Sequence, residues 1–218
     1  IPASPFQSTH ESIENTRFFE DADKVSFINH PLPLDEVESH INRLKSLGYN
    51  CIRFPFTWES LEHGGPGDYD LEYMDYVIEV LQKINAIGGV YVYLNPHQDV
   101  WSRLSGGSGA PLWTFYSAGF QPVNFKETEA AILQNYYVDS HAEYPKMLWP
   151  TNYFRLACQT MFTLFFAGKD FAPKCIINGM NIQDYLQNKF IDAVMFLYSR
   201  IKTKAPDLFE QNCVIGLE

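Results

Sequence analysis

The sequence predicts an α/β fold with parallel strands and helices packed outside them. Between Leu34 and Leu94, helical and strand patterns alternate as helix, strand, helix, strand, with connections of a few residues. Strands joined through a helix are the crossovers of a parallel sheet, and their right-handedness brings all strand C-terminal ends to one side. Both strands also stop at a proline followed by polar residues and tryptophan: Pro55 before Thr57-Trp58-Glu59, and Pro96 before His97-Gln98-Asp99 and Trp101. An α/β protein presents its chemistry at such a face, where Arg53, Trp58, His97 and Asp99 are expected to gather.

Taken in order, residues 1–33 carry Pro2, Pro5, Pro31 and Pro33 and little periodicity, so a long connecting loop is expected, pinned to the core by Phe18, Phe19, Val25, Phe27 and Ile28. Val37, Ile41 and Leu44 predict a helix over Leu34 to Gly48. Asn50 to Phe56 follows as a strand, and Leu71 to Ile87 as an amphipathic helix stopped by Gly88. Val90 to Leu94 reads as a buried strand, then comes a flexible turn, Ser105-Gly106-Gly107-Ser108-Gly109. From Leu112 to Pro150 periodicity dissolves into an aromatic loop with Trp113, Phe115, Phe120, Phe125, Tyr136, Tyr137 and Trp149; structureless loops this long serve as lids or binding loops. A helix apolar nearly all round is expected over Tyr153 to Ala167, ended by Gly168. Asn181 caps a long helix to about Lys202, and Cys213 to Glu218 forms a third strand.

This order suits either a doubly wound sheet or a (β/α)8 barrel. The first should carry G-x-G-x-x-G or G-x-x-x-x-G-K-[ST] straight after a strand, and neither is present. The barrel is preferred. Three strands make only part of one.

Composition limits the function classes. The 218 residues suit one domain, with 46% hydrophobic, 19% charged and 16% aromatic residues, a surplus that fits a large core or a cleft for sugar or lipid. A net charge of −10 without a Lys/Arg cluster argues against nucleic acid and against electrostatic docking on anionic lipid. Cys51, Cys158, Cys175 and Cys213 show neither zinc spacing nor a disulfide framework, and no cofactor is implied. The absence of an Asn-x-Ser/Thr sequon favours a cytoplasmic protein.

Two readings stand for each candidate residue. Arg53, between Ile52 and Phe54, is a structural ion-pair partner or an arginine that orients a catalytic carboxylate. His97 and Asp99 are a loop histidine with a turn-capping aspartate, or side chains presented at a strand end. No second ligand at metal spacing and no G-x-S-x-G elbow accompany them. Trp113 is the best stacking candidate among four tryptophans that are each more often core. Glu59 and Glu62 read as solvated helix-end charges. Glu218 ends a strand and points to the open face, but retaining glycoside hydrolysis takes two carboxyls about 5–5.5 Å apart.

The run Tyr49 to Glu59 resembles the second strand of glycoside hydrolase family 5 barrels. Pro96 to Arg103 with Ser105 to Trp113 resembles the endoglycoceramidase-related branch. Asn152-Tyr153, Gln159 to Gly168 and Asp170 to Cys175 are similar to the fungal steryl-β-glucosidases and glucosylceramidases within it. The resemblance implies a (β/α)8 barrel of which residues 1–218 hold strands two to four in a single catalytic domain, with residues 97–150 as a lid-like active-site loop. It implies a retaining β-glucosidase acting on a glucolipid, most of all a steryl β-glucoside such as ergosteryl glucoside, in transient contact with a membrane surface. The alternatives are a glucosylceramidase or endoglycoceramidase and, in another class, a non-catalytic lipid- or sugar-binding barrel. By position, His97 and Asp99 would bind glucose hydroxyls, Trp113 would line the sugar or aglycone site, and Arg53 would support the acid/base region. The acid/base and nucleophile glutamates are expected beyond Glu218, and the first strand before Ile1.

Overall fold

In a computed structural model, residues 18–133, 146–148 and 150–218 are described. Tyr136, Tyr137 and Trp149 of the expected aromatic loop, and Pro2 and Pro5, lie outside them. Helix α1 (Val37–Ser46), strand β1 (Cys51–Phe56), helix α2 (Trp58–Glu62), helix α3 (Leu71–Ile87) and strand β2 (Tyr91–Pro96) come in the expected alternation. Helix α3 has the predicted bounds, because Asp70 caps it by accepting from the Tyr73 N–H at 2.8 Å and Gly88 ends it.

Strand β1 pairs parallel with β2, Arg53 opposite Tyr93, and β2 pairs parallel with β5 (Val214–Leu217), Tyr93 opposite Gly216. Side chains alternate across this three-stranded sheet. Phe54, Phe56, Val92 and Leu94 face one core with Val77, Leu81 and Ile84 of α3. Cys51, Arg53, Tyr91 and Glu218 lie on the other face of the sheet.

The stretch after Pro111 is more ordered than its sequence pattern indicates. Helix α4 (Leu112–Ser117) starts there, a 3-10 turn spans Pro122–Asn124, and Phe115, Phe120 and Phe125 pack edge-on with centroids 5.2–5.9 Å apart. A six-residue helix is too short to show a period, which explains why the pattern looks irregular. Helix α5 (Leu156–Phe171) begins later than expected and runs through Gly168 with a kink at Ala167. A hairpin of β3 (Ile176–Ile177) and β4 (Met180–Asn181) turns at Asn178-Gly179, both at positive φ, and Asn-Gly is the residue pair such a turn selects. Helix α6 (Ile182–Lys204) follows, its predicted cap Asn181 accepting from the Gln183 N–H at 3.0 Å, and α7 (Asp207–Glu210) precedes β5. The 18–33 segment is pinned as expected, with Phe18, Val25 and Phe27 buried and Phe19 and Ile28 packed against the core. Among the described residues, no helix is long and apolar enough to cross a membrane.

Candidate active site

The rim is built from the two βα loops that leave β1 and β2. Thr57 and Ser60 form a capping box that starts α2 in the buried region directly after β1. Glu59 therefore points inward. It accepts from Arg103 at 2.7 Å (Nη2 to Oε1) and 3.3 Å (Nε to Oε2), with the two side chains 2% and 3% exposed. Arg103 also donates to the Ala22 carbonyl at 3.2 Å and lies 5.0 Å from the Phe18 ring centre. Glu62 is buried as well, accepting from the Trp58 indole at 2.6 Å and from the Gly67 N–H, and burial raises its pKa against those donors. The expectation of solvated charges is overturned for both glutamates, because α2 is enclosed on all sides.

The loop after β2 is equally constrained. His97 continues the ladder through its N–H to the Phe56 carbonyl at 2.6 Å. Asp99 and Ser108 exchange backbone hydrogen bonds of 2.7 and 3.0 Å, and the Glu59 N–H reaches the Gly109 carbonyl at 2.7 Å. Ser105 and Ser108 are buried, and the Ser105 hydroxyl donates to the Val100 carbonyl at 2.6 Å. A Cβ on Gly107 would fall 2.1 Å from the Asp99 carbonyl oxygen, so glycine permits this close approach. The Ser-Gly-Gly-Ser-Gly turn is a tied clasp and not a flexible one.

On the sheet face away from α3, Arg53 Nε donates to Glu218 Oε2 at 3.0 Å, an ion pair between β1 and the end of β5. His97 lies within the field of both, and of Asp99. Burial and Arg53 hold its pKa below the ordinary 6.5, against the pull of Asp99 and Glu218. Asp99 Oδ1 accepts from the Tyr153 hydroxyl at 2.7 Å. Arg53, His97, Asp99 and Glu218 thus meet at the C-terminal ends of parallel strands, where a neutral imidazole, a carboxylate and a guanidinium can together bind a polyhydroxylated ligand.

A family model, Cellulase (glycosyl hydrolase family 5), matches residues 20–161. The chain belongs to glycosyl hydrolase family 5. It is 70% identical over 228 residues to the ergosteryl-beta-glucosidase of Saccharomyces cerevisiae, covering 100% of this chain and 30% of that protein. It is 58% identical to a glucosylceramidase of Aspergillus fumigatus, covering 92% of this chain and 26% of that protein. The crystal structure of Cryptococcus neoformans sterylglucosidase 1 with tris superposes with a TM-score of 0.90 at 50% identity, over 99% of this chain and 30% of that one. The chain spans about a third or less of the length of these relatives. Its three parallel strands with outer helices are part of the family's (β/α)8 barrel.

One tryptophan departs from the sequence-based expectation. Trp58 is not on the open face but in the core, its ring edge-on to Trp101, Trp113 and Phe190. Trp113 is 8% exposed, donates its indole N–H to the Glu62 carbonyl at 2.9 Å and packs edge-on against Trp58 and Tyr185. It also lines a cleft with Phe19, His63 and Tyr116. Sequence reasoning missed the Glu59–Arg103 pair and Tyr153. The Asn152-Tyr153 dipeptide was visible as a motif, but nothing in the sequence directs its hydroxyl to Asp99.

Proposed function

We propose that this protein is a retaining β-glucosidase that hydrolyses the glucosidic bond of a steryl β-glucoside, ergosteryl glucoside foremost. The observation that carries the reading is the meeting of Arg53, His97, Asp99 and Glu218 at one strand-end rim in a family 5 barrel. His97, kept neutral, exchanges hydrogen bonds with glucose hydroxyls. The Asp99 carboxylate accepts from one, and Arg53 orients carboxylates of the acid/base region. The glutamate pair that retaining hydrolysis requires, about 5–5.5 Å apart, is assigned outside residues 1–218. Exposed Leu148, Phe154 and Leu156 flank Tyr153 and support an apolar aglycone, drawn from a bilayer by transient surface contact. The glucosylceramidase relatives favour ceramide as the second reading.

Turnover of ergosteryl glucoside and glucosylceramide by the intact protein, measured side by side, tests the aglycone. His97→Ala should lower hydrolysis of an aryl β-glucoside by more than tenfold with the melting curve unchanged. Unaltered turnover would remove His97 from the sugar site. Binding of glucolipid without any hydrolysis would make the protein a non-catalytic binding barrel instead.

A further inference from the structure

We propose that Tyr153 is a positioning residue for the sugar site, acting through the Asp99 carboxylate; this rests on the reading of Asp99 as a ligand of glucose. The Tyr153 hydroxyl donates to Asp99 Oδ1 at 2.7 Å, across 54 residues of sequence. Both ends of this contact are held by bonds of their own. The Asp99 main chain is fixed by its two-way exchange with Ser108 and by the close approach of Gly107. The Tyr153 turn (3-10, Thr151–Phe154) is fixed by buried Asn152, whose side chain accepts from the Ile132 N–H and donates to the Ile132 carbonyl, both at 2.9 Å.

The hydroxyl also meets the Val100 backbone, so it ties the Asp99–Val100 turn to the Tyr153 turn. Its bond to Oδ1 fixes in addition the rotation of the Asp99 carboxylate. A carboxylate free to turn about its terminal torsion samples a broad range of orientations, and a charge-assisted hydrogen bond narrows that range. With Oδ1 engaged, Oδ2 makes no hydrogen bond among the described residues and stands as the acceptor for a sugar hydroxyl. The same turn carries exposed Phe154 next to Tyr153, so the apolar lip and the sugar acceptor are set by one short segment.

Tyr153→Phe, Asp99→Asn and the double variant of the intact protein test this, using aryl β-glucoside kinetics and the dissociation constant of octyl β-thioglucoside, a non-hydrolysed ligand. Loss of one hydrogen bond to a charged acceptor should weaken thioglucoside binding by about tenfold in Tyr153→Phe and raise KM similarly. kcat should stay within about threefold, and the melting temperature should be unchanged. In the Asp99→Asn background the same Tyr153→Phe change should have no further effect. An unchanged dissociation constant in Tyr153→Phe, or an equal additional loss in the double variant, overturns the role through Asp99. If wild type binds the thioglucoside but hydrolyses nothing, the glucosidase reading fails while the positioning role stands on the binding cycle. If wild type binds no glucoside at all, both fail.

Discussion

Two arginine–carboxylate pairs belong to neighbouring strands and their loops, and they differ in what surrounds them. Glu59 and Arg103 join the loop after β1 to the loop after β2 with side chains 2% and 3% exposed. Arg53 and Glu218 join β1 to the end of β5 across the open sheet face, 46% and 51% exposed, at a comparable separation of 3.0 Å. The first pair is enclosed by Phe18 and the Ala22 carbonyl, so every charge is matched by a fixed partner. The second faces the space where His97 and Asp99 also lie. Enclosure makes an ion pair a structural commitment, since neither partner can be removed without stranding the other in low dielectric.

The largest effect should come from breaking the enclosed pair. Arg103→Met leaves the Glu59 carboxylate buried and uncompensated, at a cost of about 3–5 kcal/mol. In thermal unfolding of the intact protein this should appear as a fall in melting temperature on the order of 10 °C. Adding Glu59→Leu should restore much of the loss, because the stranded charge is then gone. A single variant that melts like wild type would mean that water reaches Glu59 and that the two pairs are alike.

The contrast between these pairs was not legible in the sequence, and the reasons are physical. Long elements announce themselves: α3 shows four turns of period, an aspartate cap and a glycine stop, and Asn181 is recognisable as a cap from its position before an apolar stripe. Parallel pairing and the strand-end gathering of Arg53, His97 and Asp99 follow from the alternation alone. By contrast, α2 has five residues, so no periodicity states that Glu59 and Glu62 face inward, and the partner of Glu59 is 44 residues away. The clasp over 99–109 depends on Val100 and Trp101 at φ of 39° and 74°, a conformation that their residue types disfavour. An indole likewise does not reveal whether it will serve as a platform or as core, and Trp58 is packed.

The open pair should respond in function. Arg53→Met in the intact protein should lower hydrolysis of an aryl β-glucoside by at least tenfold, through loss of the guanidinium that orients carboxylates at the rim. The melting temperature, measured alongside, separates a loss of function from a loss of fold. A variant that is inactive only because it has unfolded would erase the distinction between the two regions. One that retains full activity would place Arg53 with the solvated surface.

The His63–Asp70 pair lies between these extremes, 17% and 16% exposed, and it is the one that pH can address. Nδ1 is 2.6 Å from the Asp23 carbonyl and Nε2 is 3.1 Å from Asp70 Oδ2, so both ring nitrogens face acceptors and only the imidazolium satisfies both. Burial pulls the His63 pKa down, but Asp70, the Asp23 carbonyl and Glu59 outweigh it, and the value lies above the ordinary 6.5. Acidic Glu20, Asp23, Asp68 and Glu72 line the clefts on either side, and among the described residues no cation shares those linings with the ring. A histidine raised on folding contributes stability that is fully present below pH 6.5 and is lost as pH rises through its folded pKa. Asp70, held below 3.8 against burial by His63 and the Tyr73 and Glu72 N–H groups, keeps its own contribution throughout that range. The melting temperature of the intact protein should therefore fall from pH 6 to about pH 8.5 by less than the Arg103→Met loss, and His63→Gln should flatten this slope. A slope that survives His63→Gln would assign the titration to another group.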